Sequence, residues 1–475
     1  MPASNPTGAL TATASGRGPH QPNLPLDHDE VDLALRSWRF WLVVVLVGVG
    51  AGTGAGVLMA ILHAVQHLAY GYRHGDFQAG VRAAPSWRRV VVLVGAGLVL
   101  GTAWVVLRRV GGPVRGLDEA VWEREGRLRF VDTALNALFQ IVAVGAGATL
   151  GREGAPKELG AGLASSLCDR AGLTPTERRV LVACGAGAGM AAVYNVPFGG
   201  ALFAVEVLLG TLTLPVVVPA LATAGVATGV SWLLLADRPT YDVGHLPLSA
   251  SVTLWAVPLG GLAGLLGAGL VVLVGWAKAR ATRGTRTVLS VTAAFGAVGA
   301  LAVVLPEVLG NGKDVAQMAF SGALSLPLVA AIVVARPLAT GACLRAGAVG
   351  GLFTPTLTLG ALVGVVAGRA WGALWPAGPV AGFALIGAAA LLSAAMQSPV
   401  ASITLVVELT HSGLALLVPV ALAAAGATVV SRALVPASLY TAAGWWQGSH
   451  ASSDRHPRWS RRGEPARSPP AGGAD

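Results

Sequence analysis

Residues 147–161 read GATLGREGAPKELGA and residues 347–361 read GAVGGLFTPTLTLGA, the same spacing of Gly, Ala and Leu two hundred positions apart. A second pair follows at nearly the same offset. Asn195 to Leu208 reads NVPFGGALFAVEVL, and Gln397 to Thr410 reads QSPVASITLVVELT. Pro197 matches Pro399, and Glu206 matches Glu408. In a chain of 475 residues these pairs are an internal duplication. Duplicated halves with Gly- and Pro-interrupted apolar segments in corresponding places point to a transporter, its substrate site lying where the interruptions meet. The copies differ at one informative place, where Glu153 in the first stands opposite Phe353 in the second.

The repeats sit in a chain that is 54% hydrophobic and 12% charged, against about a quarter charged in soluble domains. Phe40–Ala69, Val90–Leu107, Leu214–Ala236 and Ala250–Ala277 each hold one charged residue or none. Each exceeds or approaches the roughly 20 helical residues that cross a hydrocarbon core. The pattern predicts an all-α polytopic membrane protein. A β-barrel would show short alternating segments instead. The net charge of +10 resides in loops and tails: Arg108–Arg129, Lys278–Arg286 and Arg455–Arg467. Such clusters mark cytoplasmic sides of a bilayer, although the Arg73–Arg89 loop is basic too. The partner they imply is lipid, with no nucleic acid.

The expected organisation is a polar cytoplasmic tail over residues 1–37, a transport domain over 38–443 and a second cytoplasmic tail over 444–475. The domain divides into halves of about 38–236 and 249–443, joined by the polar segment Asp237–Leu248. Cys168, Cys184 and Cys343 lie in or near apolar stretches without CxxC spacing or His companions, so neither a disulfide nor a metal site is expected. No cofactor is implied. Segments such as Glu158–Leu167, Val180–Val193 and Phe198–Leu209 read as too short to cross alone. Broken helices at membrane depth must be buried in protein or line a watery cavity, and their free N–H ends suit anions.

At GREGAP, Gly151 and Gly154 permit a tight turn into a helix, with the amides of Arg152, Glu153 and Gly154 facing an ion. A carboxylate there is costly in lipid unless functional. It acts either as a tethered anion competing with a diffusible one or as a plain N-cap. GGLFTP, Gly350–Pro355, repeats the turn without charge, so the Leu352 and Phe353 amides suit a second ion or simply open a helix. Glu206 and Glu408 come late in short apolar helices. Their symmetry suits pairing with Arg or capping a neighbour, and Glu206 is also a candidate proton relay. Tyr440, in PASLYTA, reads alone as an interfacial anchor.

Taken in order, GREGAPKELG, GGLFTP, VPFGGALFAVE, SPVASITLVVELT and PASLYTA resemble the CLC family of chloride channels and chloride/proton exchangers. The resemblance covers nearly all of Trp38–Ala443. It implies a homodimer with one anion pathway per subunit, each subunit built from two inverted halves of tilted, broken helices. Residue by residue, it implies that Glu153 is the gating glutamate and that Arg152 and Gly154 supply flanking amides. It also makes Leu352 and Phe353 the central-site amides and gives Tyr440 the coordinating hydroxyl.

Three departures stand out. The family's first motif falls at Gly111–Arg115, GGPVR, so Gly112 replaces a selectivity serine and keeps only an N–H. GREGP has become GREGA, with Pro156 one place later. The second proton-carrying acid of many exchangers falls at Val207, beside Glu206. The expected function is passage of chloride or a similar monovalent anion through a glutamate-gated pathway, in a multi-pass protein of the cell membrane with both termini cytoplasmic. The alternatives are a chloride/proton antiporter and a membrane-embedded enzyme. No HExxH or GxSxG occurs, and His63 and His67, an i, i+4 pair, have no evident third ligand, so an enzyme is not expected.

Overall fold

A computed structural model describes residues 28–73, 75–112, 116–244, 246, 249–375, 378–412 and 415–451. Most of both expected tails, and Pro113–Arg115 of the first motif, lie outside these residues.

The described chain is helical throughout. The first half holds α1 (His28–Ala34), α2 (Trp38–Tyr70), α3 (Phe77–Ala83), α4 (Ser86–Val110) and α5 (Leu117–Glu123). It continues with α6 (Phe130–Gly145), α7 (Gly154–Ala171), α8 (Pro175–Tyr194), α9 (Pro197–Leu202) and α10 (Leu214–Ser231). The second half holds α11 (Ala250–Ala279), α12 (Arg286–Val304), α13 (Lys313–Phe320), α14 (Leu326–Ala346) and α15 (Phe353–Gly372). It ends with α16 (Val380–Met396), α17 (Pro399–Thr410), α18 (Leu417–Leu434) and α19 (Ala442–Ala451). Within the stretch expected as the N-terminal tail, α1 packs on α8 and α10 and buries Val31.

Eight of these helices are long and apolar enough to cross a membrane. Their outer faces carry exposed Leu46, Val57, Val91, Val99, Leu265 and Val429, surface that water would penalise and lipid accepts. Of the three segments expected to be short, Phe198–Leu209 is, falling in the helical run Pro197–Leu208, and the other two are not. The helix α7 has 18 residues and α8 has 20. What distinguishes α8 and its counterpart α16 is burial: Glu177–Tyr194 and Ala381–Met396 are buried without interruption. They are the two inner posts of the molecule, so their small residues serve packing rather than lipid contact.

The packing repeats. In the first half α7 lies on α8, α8 on α10 and α2 on α10; in the second α15 lies on α16, α16 on α18 and α11 on α18. Close approach in each copy depends on a glycine pair. A Cβ added at Gly160 or Gly185 would strike the other's carbonyl, and the same holds for Gly360 and Gly387. Small residues that let backbones touch are the usual device of membrane helix pairs. The corners repeat as well. Asn195 ends α8 at φ 58° and Gln397 ends α16 at φ 55°, a left-handed conformation uncommon outside glycine. Side-chain bonds fix both: Trp232 Nε1 donates to Asn195 Oδ1 at 2.9 Å, and Gln397 Nε2 donates to the Val435 and Ala437 carbonyls at 2.7 and 2.8 Å. Pro197 and Pro399 then open the next helices, where a missing N–H costs nothing.

The two copies meet head on. Gly151 and Gly351 form an isolated antiparallel bridge, with N···O distances of 2.7 and 3.0 Å. A second reciprocal contact joins α9 and α17. Glu206 accepts from the Val400 and Ala401 amides, at 3.2 and 2.5 Å, while Glu408 accepts from Phe198 and Gly199, at 3.1 and 2.6 Å. Each acid caps the start of the other copy's helix, the arrangement of an inverted repeat. One local difference breaks the symmetry. Phe203–Leu208, holding Glu206, is π-helical, whereas Glu408 sits in ordinary α-helix.

Candidate functional site

The Gly151–Gly351 bridge holds two helix starts face to face: α7 begins at Gly154 and α15 at Phe353. The first N–H groups of each helix have no partner within it, so donors and partial positive charge converge there. The loop before α7 is pinned independently. Thr149 Oγ1 donates to the Val308 carbonyl at 2.8 Å, Tyr70 OH to the Ala146 carbonyl at 2.8 Å, and Thr340 Oγ1 to the Thr149 carbonyl at 2.9 Å.

Glu153 is fully buried at this junction. It is the N-cap residue of α7, yet its side chain makes no capping bond to its own helix. It turns instead to the start of α15 in the other copy and to the end of α8 in its own. Its Oε1 accepts from the Phe353 amide at 2.7 Å, and its Oε2 accepts from Thr354 Oγ1 at 3.0 Å and Tyr194 OH at 3.2 Å. The tyrosine and threonine hydroxyls also contact each other. A carboxylate held by one amide and two hydroxyls occupies the place a small anion would take at a helix N-terminus. The N-cap alternative for Glu153 therefore has no support in the geometry.

Of the other expected residues, Phe353 supplies the amide just named, and Leu352 precedes it, both buried. Arg152 is buried with its guanidinium 4.9 Å from the centre of the Tyr194 ring. Gly154 opens α7 and packs against Gly351. Tyr440 is half-buried, its ring edge-on to Phe203 at 5.5 Å, and its hydroxyl accepts from Lys157 Nζ at 3.3 Å. Lys157 thus joins Tyr440 to the helix that carries Glu153. Two expected residues lie apart. Glu206 is committed to the α17 amides. Gly112 adopts φ 88°, and no described residue lies within 4 Å of where a Cβ would stand; no hydrogen bond among the described residues ties it to Glu153, Phe353 or Tyr440.

Sequence reasoning did not single out Tyr194, Thr354 or Lys157. Tyr194 and Thr354 are hydroxyls in apolar runs, where nothing marks one polar residue above another. Lys157 carried a readable signal, a lone cation inside a broken-helix motif at membrane depth. No group of three or more potential metal-binding side chains occurs among the described residues.

Comparison with known proteins gives a consistent result. A family model described as voltage gated chloride channel matches residues 96–432. A ClcB-like protein of Ralstonia nicotianae is 34% identical over 379 residues, covering 77% of this chain and 87% of that protein. The voltage-gated ClC-type chloride channel ClcB of Citrobacter koseri is 32% identical over 396 residues, covering 80% and 93%. Among solved structures, a slow cyanobacterial chloride/proton antiporter superposes with TM-score 0.76 at 21% identity, covering 88% of this chain and all of that one. A CLC-type fluoride/proton antiporter gives 0.69 at 20% identity, covering 85% and 97%. At those identities the structures report the fold, the same all-helical duplicated one described above. With the family model spanning more than half of the chain and curated relatives above 30% identity along most of it, the chain belongs to the CLC family of voltage-gated chloride channels.

Proposed function

We propose that the protein passes chloride or a similar monovalent anion across a membrane, through a pathway at the Gly151–Gly351 junction that Glu153 gates. One observation carries this reading: the Glu153 carboxylate leaves its own helix unserved and sits on the first amide of α15. A carboxylate in that position is a tethered substitute for the anion. When it is protonated or swings away, the Phe353 amide and the Thr354 and Tyr194 hydroxyls become available to a diffusible ion. Arg152 and Gly154 contribute helix-start amides opposite, and Leu352 and Tyr440 complete the lining. Dehydration of the ion is offset by N–H and O–H donors already in place, which is how helix termini serve substrates at the bilayer midplane.

Proton-coupled exchange is the second reading, since Glu153 can carry a proton at one end of the pathway. Against it, Val207 cannot bind a proton, and Glu206 holds both oxygens on the α17 amides. Uncoupled flux is therefore favoured. The reading extends to a homodimer with one pathway per subunit, in the cell membrane with both termini cytoplasmic. The functional test is to reconstitute the purified protein in proton-tight liposomes and record chloride efflux and proton movement together. Chloride efflux without uphill proton transport is expected. Absence of any anion flux overturns the proposal, and robust uphill transport replaces it with the exchanger.

A further inference from the structure

Lys157 is 3% exposed and stands one helical turn beyond Glu153, at i+4, on the same face of α7. An ammonium has three N–H donors and no acceptor. Among the described residues only one donor is used on a hydrogen bond, to Tyr440 OH at 3.3 Å. The remaining contacts are aromatic faces: Nζ lies 4.8 Å from the centre of the Phe203 ring and 5.0 Å from that of Tyr440. Among the described residues it takes part in no ion pair.

Two of the other deeply buried cations, Arg89 and Arg336, behave differently. Arg89 spends its donors on the carbonyls of Val81, Arg82, Ala84 and Ala302. Arg336 spends its donors on those of Glu307, Val308 and Gly310. Both are stitched to backbone and so are structural. A buried charge without comparable partners is expensive, and Lys157 holds two donors over, beside the tyrosine expected to touch the permeating ion. Two hundred positions on, the equivalent residue is Leu357, so the duplicated fold does not need a cation there.

We propose that Lys157 is a direct ligand of the transported anion, a fixed positive charge that binds it between Tyr440 and the Glu153 junction. The proposal rests on the anion pathway proposed above and adds a residue to it. The gate then works against a fixed positive charge one turn along α7 from Glu153. With Glu153 seated on α15 the two charges offset each other; with Glu153 withdrawn, the ammonium attracts the incoming anion. The ligand class is a small monovalent anion able to accept from both an ammonium and a phenol.

The test uses the full-length protein, as wild type, Lys157→Met and Lys157→Gln. Chloride is titrated calorimetrically into chloride-free samples, and chloride efflux is recorded from liposomes. Methionine keeps the length of the stem and removes the buried charge, so folding should not suffer; size-exclusion profile and thermal midpoint verify this, and the glutamine variant decides if methionine misfolds. Loss of a hydrogen bond to a charged group corresponds to roughly a tenfold to hundredfold weaker chloride affinity, and that loss is expected in both variants. Wild-type affinity in a folded variant overturns the proposal and leaves Lys157 as an aromatic-packed strut. If wild type itself neither binds nor passes chloride, the failure belongs to the proposed function instead.

Discussion

Around the start of α7 stand Arg152, Glu153, Lys157 and Glu158; at the same places around the start of α15 stand Leu352, Phe353, Leu357 and Thr358. The backbone of the two regions is nearly the same, from the glycine bridge to the glycine-to-glycine helix contacts and the left-handed corners at Asn195 and Gln397. The charge is all in one copy. The second copy answers with neutral donors, the Phe353 amide and the Thr354 hydroxyl. A duplicated fold sets two helix N-termini against each other, a field that attracts one anion and would be overfilled by two carboxylates. Symmetry builds the cradle, and asymmetry decides what lies in it.

The sharpest way to break the comparison is to make the first copy as neutral as the second. Glu153→Gln removes the carboxylate's charge while keeping its shape, and Glu153→Ala empties the position. Both are expected to pass chloride and to lose entirely the pH dependence and any proton coupling that wild type shows. The readout is efflux at several pH values. Wild-type pH dependence in both variants would move the gate elsewhere.

The packing half of the comparison predicts equality rather than difference. Gly185→Ala and Gly387→Ala each drive a methyl into a facing carbonyl, at Gly160 and Gly360 respectively. Overpacking of this kind costs about 1–3 kcal/mol, so each variant should lower the thermal midpoint of the purified protein by a similar amount. A variant tolerated in one half alone would show that the two helix pairs are not equivalent.

The reciprocal caps test a subtler point. Glu206→Ala and Glu408→Ala each leave two helix-start amides without an acceptor, a loss of about 0.5–2 kcal/mol for a cap. Equal losses support a structural pair. The π-helical turn around Glu206, absent around Glu408, is the feature that sets it apart; such turns recur at functional sites. If uphill proton transport is present in wild type and vanishes in Glu206→Gln, Glu206 carries protons despite its cap.

Much of this was legible in the sequence because glycine and proline report backbone needs directly. The duplication, the broken-helix starts and the capping alternative for the two glutamates all follow from spacing. The long spans came out within a few residues, as with Phe40–Ala69 against α2. The π-turn left no trace, because FAVEVL satisfies either helix. Helices α7 and α8 read as short because Gly, Pro and polar residues interrupt their apolar runs, whereas burial in protein, nearly complete for α8, lets the helices run on through them. The direction taken by Glu153 was not readable either. An acid at a helix start reads as a tethered anion or as a cap, and the bridge to Gly351 brings a second helix start within its reach.

The smallest effect is expected at a third matched pair, Gly112 and Gly312. Both are left-handed, at φ 88° and 96°, two hundred positions apart. Their surroundings are opposite. A Cβ at Gly312 would meet Thr358 Oγ1 at 2.6 Å and Arg336 Nη2 at 2.8 Å, whereas among the described residues nothing lies within 4 Å of one at Gly112. No described residue therefore obstructs at Gly112 the serine that the family resemblance leads one to expect. Its hydroxyl would add a hydrogen bond to the anion, nominally about 1.5–3 kcal/mol, but a side chain in the left-handed region costs about 1–2 kcal/mol. The two nearly cancel, so Gly112→Ser should sharpen the preference for chloride over bromide and nitrate by only a few-fold, read from competing efflux. Gly312→Ser should instead destabilise the protein and leave selectivity unchanged. An unaltered anion series in Gly112→Ser would place Gly112 outside the pathway and leave the cradle to Glu153, Phe353, Thr354 and Tyr194.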